Sequence, residues 1–201
     1  MKEDEMATSK NLNGLQPSRM RGGGYNTSGM NEYDIANGND VNIFQGDIVK
    51  IVDGAIQKVS ATGNLQAGVF MGVNWVDPTT KQPTFSNFYP ANTSSSTGKP
   101  KALVLDDPNA TYMVQATSTV TDAQIGLNFD VTLGSGSTIT GISGFGMKGG
   151  AGDEAAKALR VLRRSTFPGE TATDGFPSFE VKLNLHRDDY GKGSVVSITD
   201  L

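Results

Sequence analysis

The stretch FEVKLNLH, residues 179–186, alternates without a break. Phe179, Val181, Leu183 and Leu185 fall on one face, and Glu180, Lys182, Asn184 and His186 on the other. A period of two is what a half-buried β-strand requires. LNFDVTL (127–133) repeats the pattern, with Phe129, Val131 and Leu133 opposite Asn128, Asp130 and Thr132. GVFMGVNW (68–75) sets Val69, Met71, Val73 and Trp75 on one face. GDIVKIV (46–52) and AIQKV (55–59) flank Asp53-Gly54, a favoured two-residue hairpin turn. KALVLD (101–106) and TYMVQA (111–116) flank a second turn, Asp107-Pro108-Asn109-Ala110. STITGIS (137–143) and ALRVLRR (158–164) read as further strands. Short strands separated by Gly, Pro, Asn and Asp turns give an all-β fold, a small antiparallel β-barrel or sandwich. A helix competes only over Asp153–Leu162. There Asp153 is a candidate N-cap, and Ala155, Ala156, Leu159 and Leu162 recur at helical spacing.

The chain divides into an N-terminal arm (1–40), a β-barrel or sandwich domain (41–190) and a C-terminal tail (191–201) that reads as one more strand for its own sheet or a neighbour's. The arm shows neither the strand nor the helix period and holds five glycines from Gly22 to Gly38. Its larger apolar side chains, Leu12, Leu15, Met20, Tyr25, Met30, Tyr33 and Ile35, are widely spread. Burying each is worth roughly 1.5–3 kcal/mol. Fixing each of the forty backbones costs about 1–2 kcal/mol. Side-chain burial alone cannot order such a segment, so it stays mobile or gains main-chain hydrogen bonds along another surface. Residues 77–100 form a long insertion with four prolines, a Ser/Thr run and the aromatics Phe85, Phe88 and Tyr89. Loops of this length in a compact domain are functional or disordered. Ordered aromatics there are expected to pin the insertion onto the domain or onto a subunit interface.

Composition excludes several chemistries. The 201 residues include 25 glycines, against a usual share of ~7%, and carry a net charge of -4. Without a basic run the chain is a poor general nucleic-acid binder. No stretch approaches the ~18 apolar residues of a membrane-spanning helix. The charged start, MKEDEMATSK, lacks the apolar core of a secretory signal, so use without that export route is expected. Zero cysteines remove disulfides, thiolate metal sites and thiol nucleophiles. His186 is the single histidine, so any Ser–His–Asp triad would have to use it, and no GxSxG elbow occurs. The paired acids Asp106-Asp107 and Asp188-Asp189 lack calcium-loop spacing and read as turn and cap residues. Gly144-Phe145-Gly146-Met147-Lys148-Gly149 matches GxGxxG, but a dinucleotide fingerprint needs a parallel strand before it and a helix after it, and neither is expected. No catalytic residue, metal or cofactor is therefore expected. The aromatics Trp75, Phe85, Phe88 and Tyr89 leave a sugar-stacking alternative open.

The succession NIFQGDIVKIVDGAIQKV, LQAGVFMGV, PTFSNFYPA, KALVLDDPNATYMVQA, IGLNFDV, GISG, ALRVLRR and FEVKLNLH, across roughly residues 41–187, resembles tailed-bacteriophage capsid decoration (cement) or head-associated virion proteins. GDIVKIVDG with VSATGNLQAGVFMGV is also similar to the β-tulip barrel of phage head-decoration proteins. The resemblance is one of order and spacing across several blocks. Arg163-Arg164-Ser165-Thr166 departs from it where a more apolar continuation is expected, and the arm lies outside it. It implies a non-enzymatic virion protein on the outer capsid surface, a homotrimer bound to the major capsid protein, with neither nucleic acid nor membrane as partner. Under that reading Tyr25, Tyr33 and Ile35 anchor the arm on neighbouring capsid subunits by strand addition. Phe85, Phe88 and Tyr89 form the subunit interface. A negative net charge suits the outside of a DNA-filled shell better than its inside. The alternatives are a virion-borne carbohydrate-binding module and a tail- or fibre-associated protein.

Overall fold

A computed structural model describes residues 10–21, 29–150, 152–153, 157–165 and 175–188. Among them the chain is all-β apart from one 3-10 turn, Asp122–Gln124. The early strands are β1 (Gln16–Met20), β2 (Met30–Asp34), β3 (Ile43–Phe44), β4 (Ile48–Val52) and β5 (Ala55–Lys58). The middle of the chain supplies β6 (Gly68–Val76), β7 (Pro83–Ser86), β8 (Phe88–Tyr89), β9 (Lys101–Leu105) and β10 (Ala110–Gln115). There follow β11 (Asn128–Phe129), β12 (Val131–Thr132), β13 (Gly146–Met147), β14 (Leu159–Arg164) and β15 (Ser178–Leu183).

Two main sheets make two layers. The first has the order β1-β10-β15-β14-β11, and the second the order β2-β9-β6-β4-β5, with β7 added on β6. All the strand pairs are antiparallel. The second sheet curls until its outer strands β2 and β5 meet. Its concave side encloses Ile35, Val49, Ile56, Phe70, Val73, Ala102 and Val104, joined by Ile43 and Tyr89 from the β3–β8 ribbon. Its convex side presents Ile48, Val69 and Leu105 to the first sheet, which answers with Tyr112, Val114, Phe129, Val161, Phe179, Val181 and Leu183. The expected barrel-or-sandwich class is thus realised as a curled sheet beneath a flatter one.

Local chemistry explains the joints. Asp53 and Gly54 both take positive φ, 50° and 74°, as the β4–β5 hairpin turn demands. Asp107 accepts from the Asn109 N–H at 2.7 Å and closes the β9–β10 turn. Gly68 lets β6 approach β9 closely, since a Cβ there would stand 2.4 Å from the Leu105 carbonyl oxygen.

Four expectations change. The parity of GVFMGVNW breaks at a β-bulge between Phe70 and Gly72, so Val69 and Met71 serve one core while Val73 and Trp75 serve the other. STITGIS is a turn, closed by Gly141 N–H to Ser137 O at 2.7 Å and Ser137 N–H to Ile142 O at 2.9 Å. The helix considered over Asp153–Leu162 does not extend through Leu159–Leu162, which are strand β14, while Ala155 and Ala156 lie outside the described residues. The outer face of FEVKLNLH is less exposed than its polarity suggests: Glu180, Asn184 and His186 are buried and Lys182 is half-buried.

The described parts of the arm, residues 10–21 and 29–40, lie along the chain's own sheets. Within residues 1–40, β1 pairs with β10 and β2 with β9 of the same chain. Leu15 and Ile35 are fully buried in the two cores. The energetic reasoning asked for main-chain hydrogen bonds along another surface, and the surface is the chain's own. Gly14 seals the junction: its N–H donates to Phe145 O at 3.0 Å and its φ is 68°. The tail, residues 191–201, lies outside the described residues.

Candidate functional site

The exposed face of the first sheet gathers the charges that its strands separate in sequence. Register places Arg19 opposite Thr111, Met113 opposite Glu180, Glu180 opposite Arg163, and Lys182 opposite Arg160. Two bulges make this possible. One falls between Pro17 and Arg19 in β1, the other between Val161 and Arg163 in β14. The second also accounts for the departure at Arg163-Arg164. Arg163 turns outward to Glu180, while Arg164 turns inward, its guanidinium 5.0 Å from the centre of the Phe179 ring and its Nε donating to Asp122 at 2.7 Å.

Glu180 is fully buried beneath this face. Its Oε1 accepts from Arg19 Nε at 2.7 Å and from the Thr111 hydroxyl at 2.7 Å, and its Oε2 accepts from Arg163 Nε. Burial raises the carboxyl pKa, but the hydrogen bonds of Arg19, Thr111 and Arg163 outweigh it and hold the group below its ordinary range. Each arginine keeps about half its side chain in solvent, 53% and 50%, so both remain able to meet a partner. Arg160 is exposed beside them. The face therefore carries Arg19, Arg160, Arg163 and Lys182 around one neutralising carboxylate, on a chain whose net charge is -4.

A second buried carboxylate, Asp47, sits where the two layers join. It accepts from Phe44 N–H at 2.8 Å and from the Ser143 hydroxyl at 2.5 Å, and pairs with Lys58 at 3.0 Å. The Lys58 ammonium also lies 4.6 Å from the centre of the Phe145 ring. Here desolvation exceeds these favourable contacts and raises the Asp47 pKa. This is a structural pair at the centre of the molecule. Phe145 and Met147, from the GxGxxG match, are fully buried in the same core and offer no phosphate cradle.

The sequence-derived residues scatter. Tyr25 lies outside the described residues. Burial, together with the hydrogen bond that its hydroxyl donates to Asp106 at 2.5 Å, pushes the Tyr33 pKa up to about 12. Ile35 has no exposed surface with which to reach a neighbour. Tyr89 is likewise fully buried, its hydroxyl donating to Thr93 O at 2.7 Å, so it joins no subunit interface. Phe88 is half-buried and stacks on Phe44 at 5.6 Å. Phe85 alone of the three is exposed, at 61%, with its ring over Gly72, where a Cβ would stand 2.8 Å away. Asn87 links this region to the 137–142 turn through Thr140 O, and that turn carries Ile139, 95% exposed. His186 is buried, with its Nδ1 accepting from Asp188 N–H at 3.1 Å. Trp75 lines an open groove of about 440 Å³ with Asn74, Pro83, Ser95, Lys99 and Lys101.

Sequence reasoning missed Glu180 and its arginines, because strict alternation hides bulges. The one signal was the run Arg163-Arg164 in a strand whose neighbours are apolar. Among the described residues no cluster of three or more His, Cys, Asp or Glu could hold a metal ion, and no helix is long and apolar enough to cross a membrane. No family model, no curated protein and no solved structure matches this chain.

Proposed function

We propose that this chain is a structural virion protein that binds the outer surface of a phage capsid and stabilises contacts between major capsid protein subunits. The order and spacing of its strand blocks support the reading. The observation that carries it is the broad face of the first sheet, where Arg19, Arg160, Arg163 and Lys182 surround Glu180 on a rigid antiparallel framework. Such a face suits an acidic protein surface, since complementary charge sets orientation and speeds encounter. It takes the place of Tyr33 and Ile35 as the capsid-facing element, because Ile35 is core and Tyr33 is bound to Asp106, and the arm contributes Arg19 to it. Phe85 and Ile139, both exposed and apolar, supply the self-contact of a homotrimer. Three copies then hold the shell multivalently.

The test is retention on particles assembled from the cognate major capsid protein. Arg160→Glu with Lys182→Glu should lower occupancy about tenfold at low salt, and the gap from the parent should narrow at high salt, as screening of complementary charge requires. Unchanged occupancy overturns the assignment of this face. Phe85→Ser with Ile139→Ser should convert trimers to monomers in sedimentation, and persistent trimers reject that contact.

The Trp75 groove favours a second reading, a virion-borne carbohydrate-binding module. A partly exposed indole beside Asn74, Ser95 and Lys101 is a group that can stack on a sugar ring. Glycan-array binding lost on Trp75→Ala would support it. Tyr89 takes no part, being buried.

A further inference from the structure

Glu180 occupies one nitrogen of each arginine that it holds. β15 lies between β10 and β14, with β1 beyond β10, so Arg19 and Arg163 reach the carboxylate from opposite sides. Arg19 Nε donates to Oε1 at 2.7 Å, and Arg163 Nε donates to Oε2. Among the described residues neither guanidinium has any other hydrogen-bond acceptor or ion-pair partner. Nη1 and Nη2 of both arginines are therefore unused. Those two nitrogens form the planar fork that grips a carboxylate through two parallel hydrogen bonds. Glu180 has no exposed surface, while each arginine keeps about half of its side chain in solvent, so the forks stand at the open side of the face.

The spacing of the forks is set from below. Both Nε atoms bond the oxygens of one carboxylate, which keeps them within about 8 Å of each other. An extended chain rises roughly 3.3 Å per residue and turns alternate side chains to one face, so residues i and i+2 present side chains about 7 Å apart. The two spacings match. Arg160 adds a third cation. It precedes Arg163 on β14, and with the bulge between Val161 and Arg163 the two stand opposite Lys182 and Glu180 on the same outer face. Arg160 is exposed, and its guanidinium has no hydrogen bond or ion pair among the described residues. Three arginines thus stand against one buried carboxylate.

We infer that this face recognises an extended acidic segment of its partner, with carboxylates at alternate positions seated one on the Arg19 fork and one on the Arg163 fork, and Arg160 taking a third. The inference deepens the capsid reading and rests on it for the identity of the partner protein. Glu180 holds both guanidinium groups in place before binding, which lowers the ordering cost of the contact. The match is one of geometry as well as charge. A lysine at either position keeps the charge and loses the fork.

The test uses the full chain and two labelled peptides of identical glutamate and threonine content, read by fluorescence anisotropy at low salt. One peptide carries its glutamates at every second position and the other at every third. The first should bind about tenfold more tightly, because only it offers both forks a carboxylate from one face. In Arg163→Lys, and separately in Arg19→Lys, that preference should fall to within about twofold at unchanged net charge. Equal affinity of the parent for the two peptides overturns the inference, as does a preference that survives both lysine variants. Pyrophosphate that displaces the first peptide at concentrations below the peptide's own overturns it in favour of a phosphate ligand. The particle assay keeps this inference apart from the capsid reading. Occupancy that falls with Arg160→Glu and Lys182→Glu, without any peptide preference, leaves the capsid reading and removes this inference. Peptide preference without loss of occupancy keeps this inference and moves the partner away from the capsid.

Discussion

The first forty residues contribute two edge strands, and the two are held by different physics. β2 leads into Ile35, which has no exposed surface and packs among Val104, Phe70 and Ile43 inside the curled sheet. β1 is polar along most of its length, and its hold on the first sheet comes from main-chain pairing with β10 and from Arg19 on buried Glu180. Apolar burial is indifferent to pH and salt over ordinary ranges. A carboxylate shared by two half-exposed arginines is not. The two strands of one segment should therefore come loose under different conditions, β1 first and β2 only with the core. Leu15, just before β1, is the point at which the polar strand becomes anchored to apolar core.

Ile35→Ala sharpens the comparison most. Removing a fully buried isoleucine side chain costs about 2–5 kcal/mol, readable as a fall in the denaturation midpoint. An arm that lay free of its own globule would show no change. Glu180→Gln comes next. Hydrogen bonds to charged groups are worth about 1.5–3 kcal/mol, and the two arginines recover part of that in water. The expected result is a loss of about 1–3 kcal/mol, with cleavage by a protease concentrated at residues 16–21. Gly14→Ala should cost about 1–3 kcal/mol. It must adopt positive φ and would set its Cβ 2.6 Å from that of Ser143. Asp34→Asn, which breaks the exposed pair with Lys101 near the end of β2, should leave the midpoint within error of the parent.

Acid titration separates the two buried carboxylates. The folded pKa of Glu180 is lowered, so its contribution is present above the ordinary glutamate value of about 4.3 and is lost as pH falls through the lower folded value. That of Asp47 is raised by desolvation, so its contribution runs the other way. It is greatest below the ordinary aspartate value of about 3.9 and declines as pH rises through the higher folded value. Asp47→Asn should flatten the second dependence and leave the first intact in a pH series of denaturation midpoints.

What the sequence made legible follows from how the chain stores information. The hairpin at Asp53-Gly54 and the turn at Asp107–Ala110 are written in single residues, and both are found as read. Phe179, Val181 and Leu183 are core as their alternation requires. Three bulges, in β1, β6 and β14, are not written in any local pattern, because each arises where two strands must bring a polar pair or a second core into register. Those bulges decide which face Trp75, Arg163 and Arg19 occupy. The candidate site was therefore the part least visible from sequence. Tyr89 and Ile35 were misassigned for a related reason: an aromatic in a proline-rich insertion and an isoleucine in a glycine-rich arm look exposed until the curled sheet supplies a core for both.

Native-state hydrogen exchange on the free chain tests the central claim, that residues 10–21 and 29–40 belong to their own globule. The account predicts that the paired amides of β2 and the Ile35 amide exchange only with global unfolding. The paired amides of β1 should exchange through a smaller opening that widens as pH falls below the ordinary glutamate range. Unprotected exchange throughout both strands in the isolated protein, becoming protected only on a partner, would contradict it.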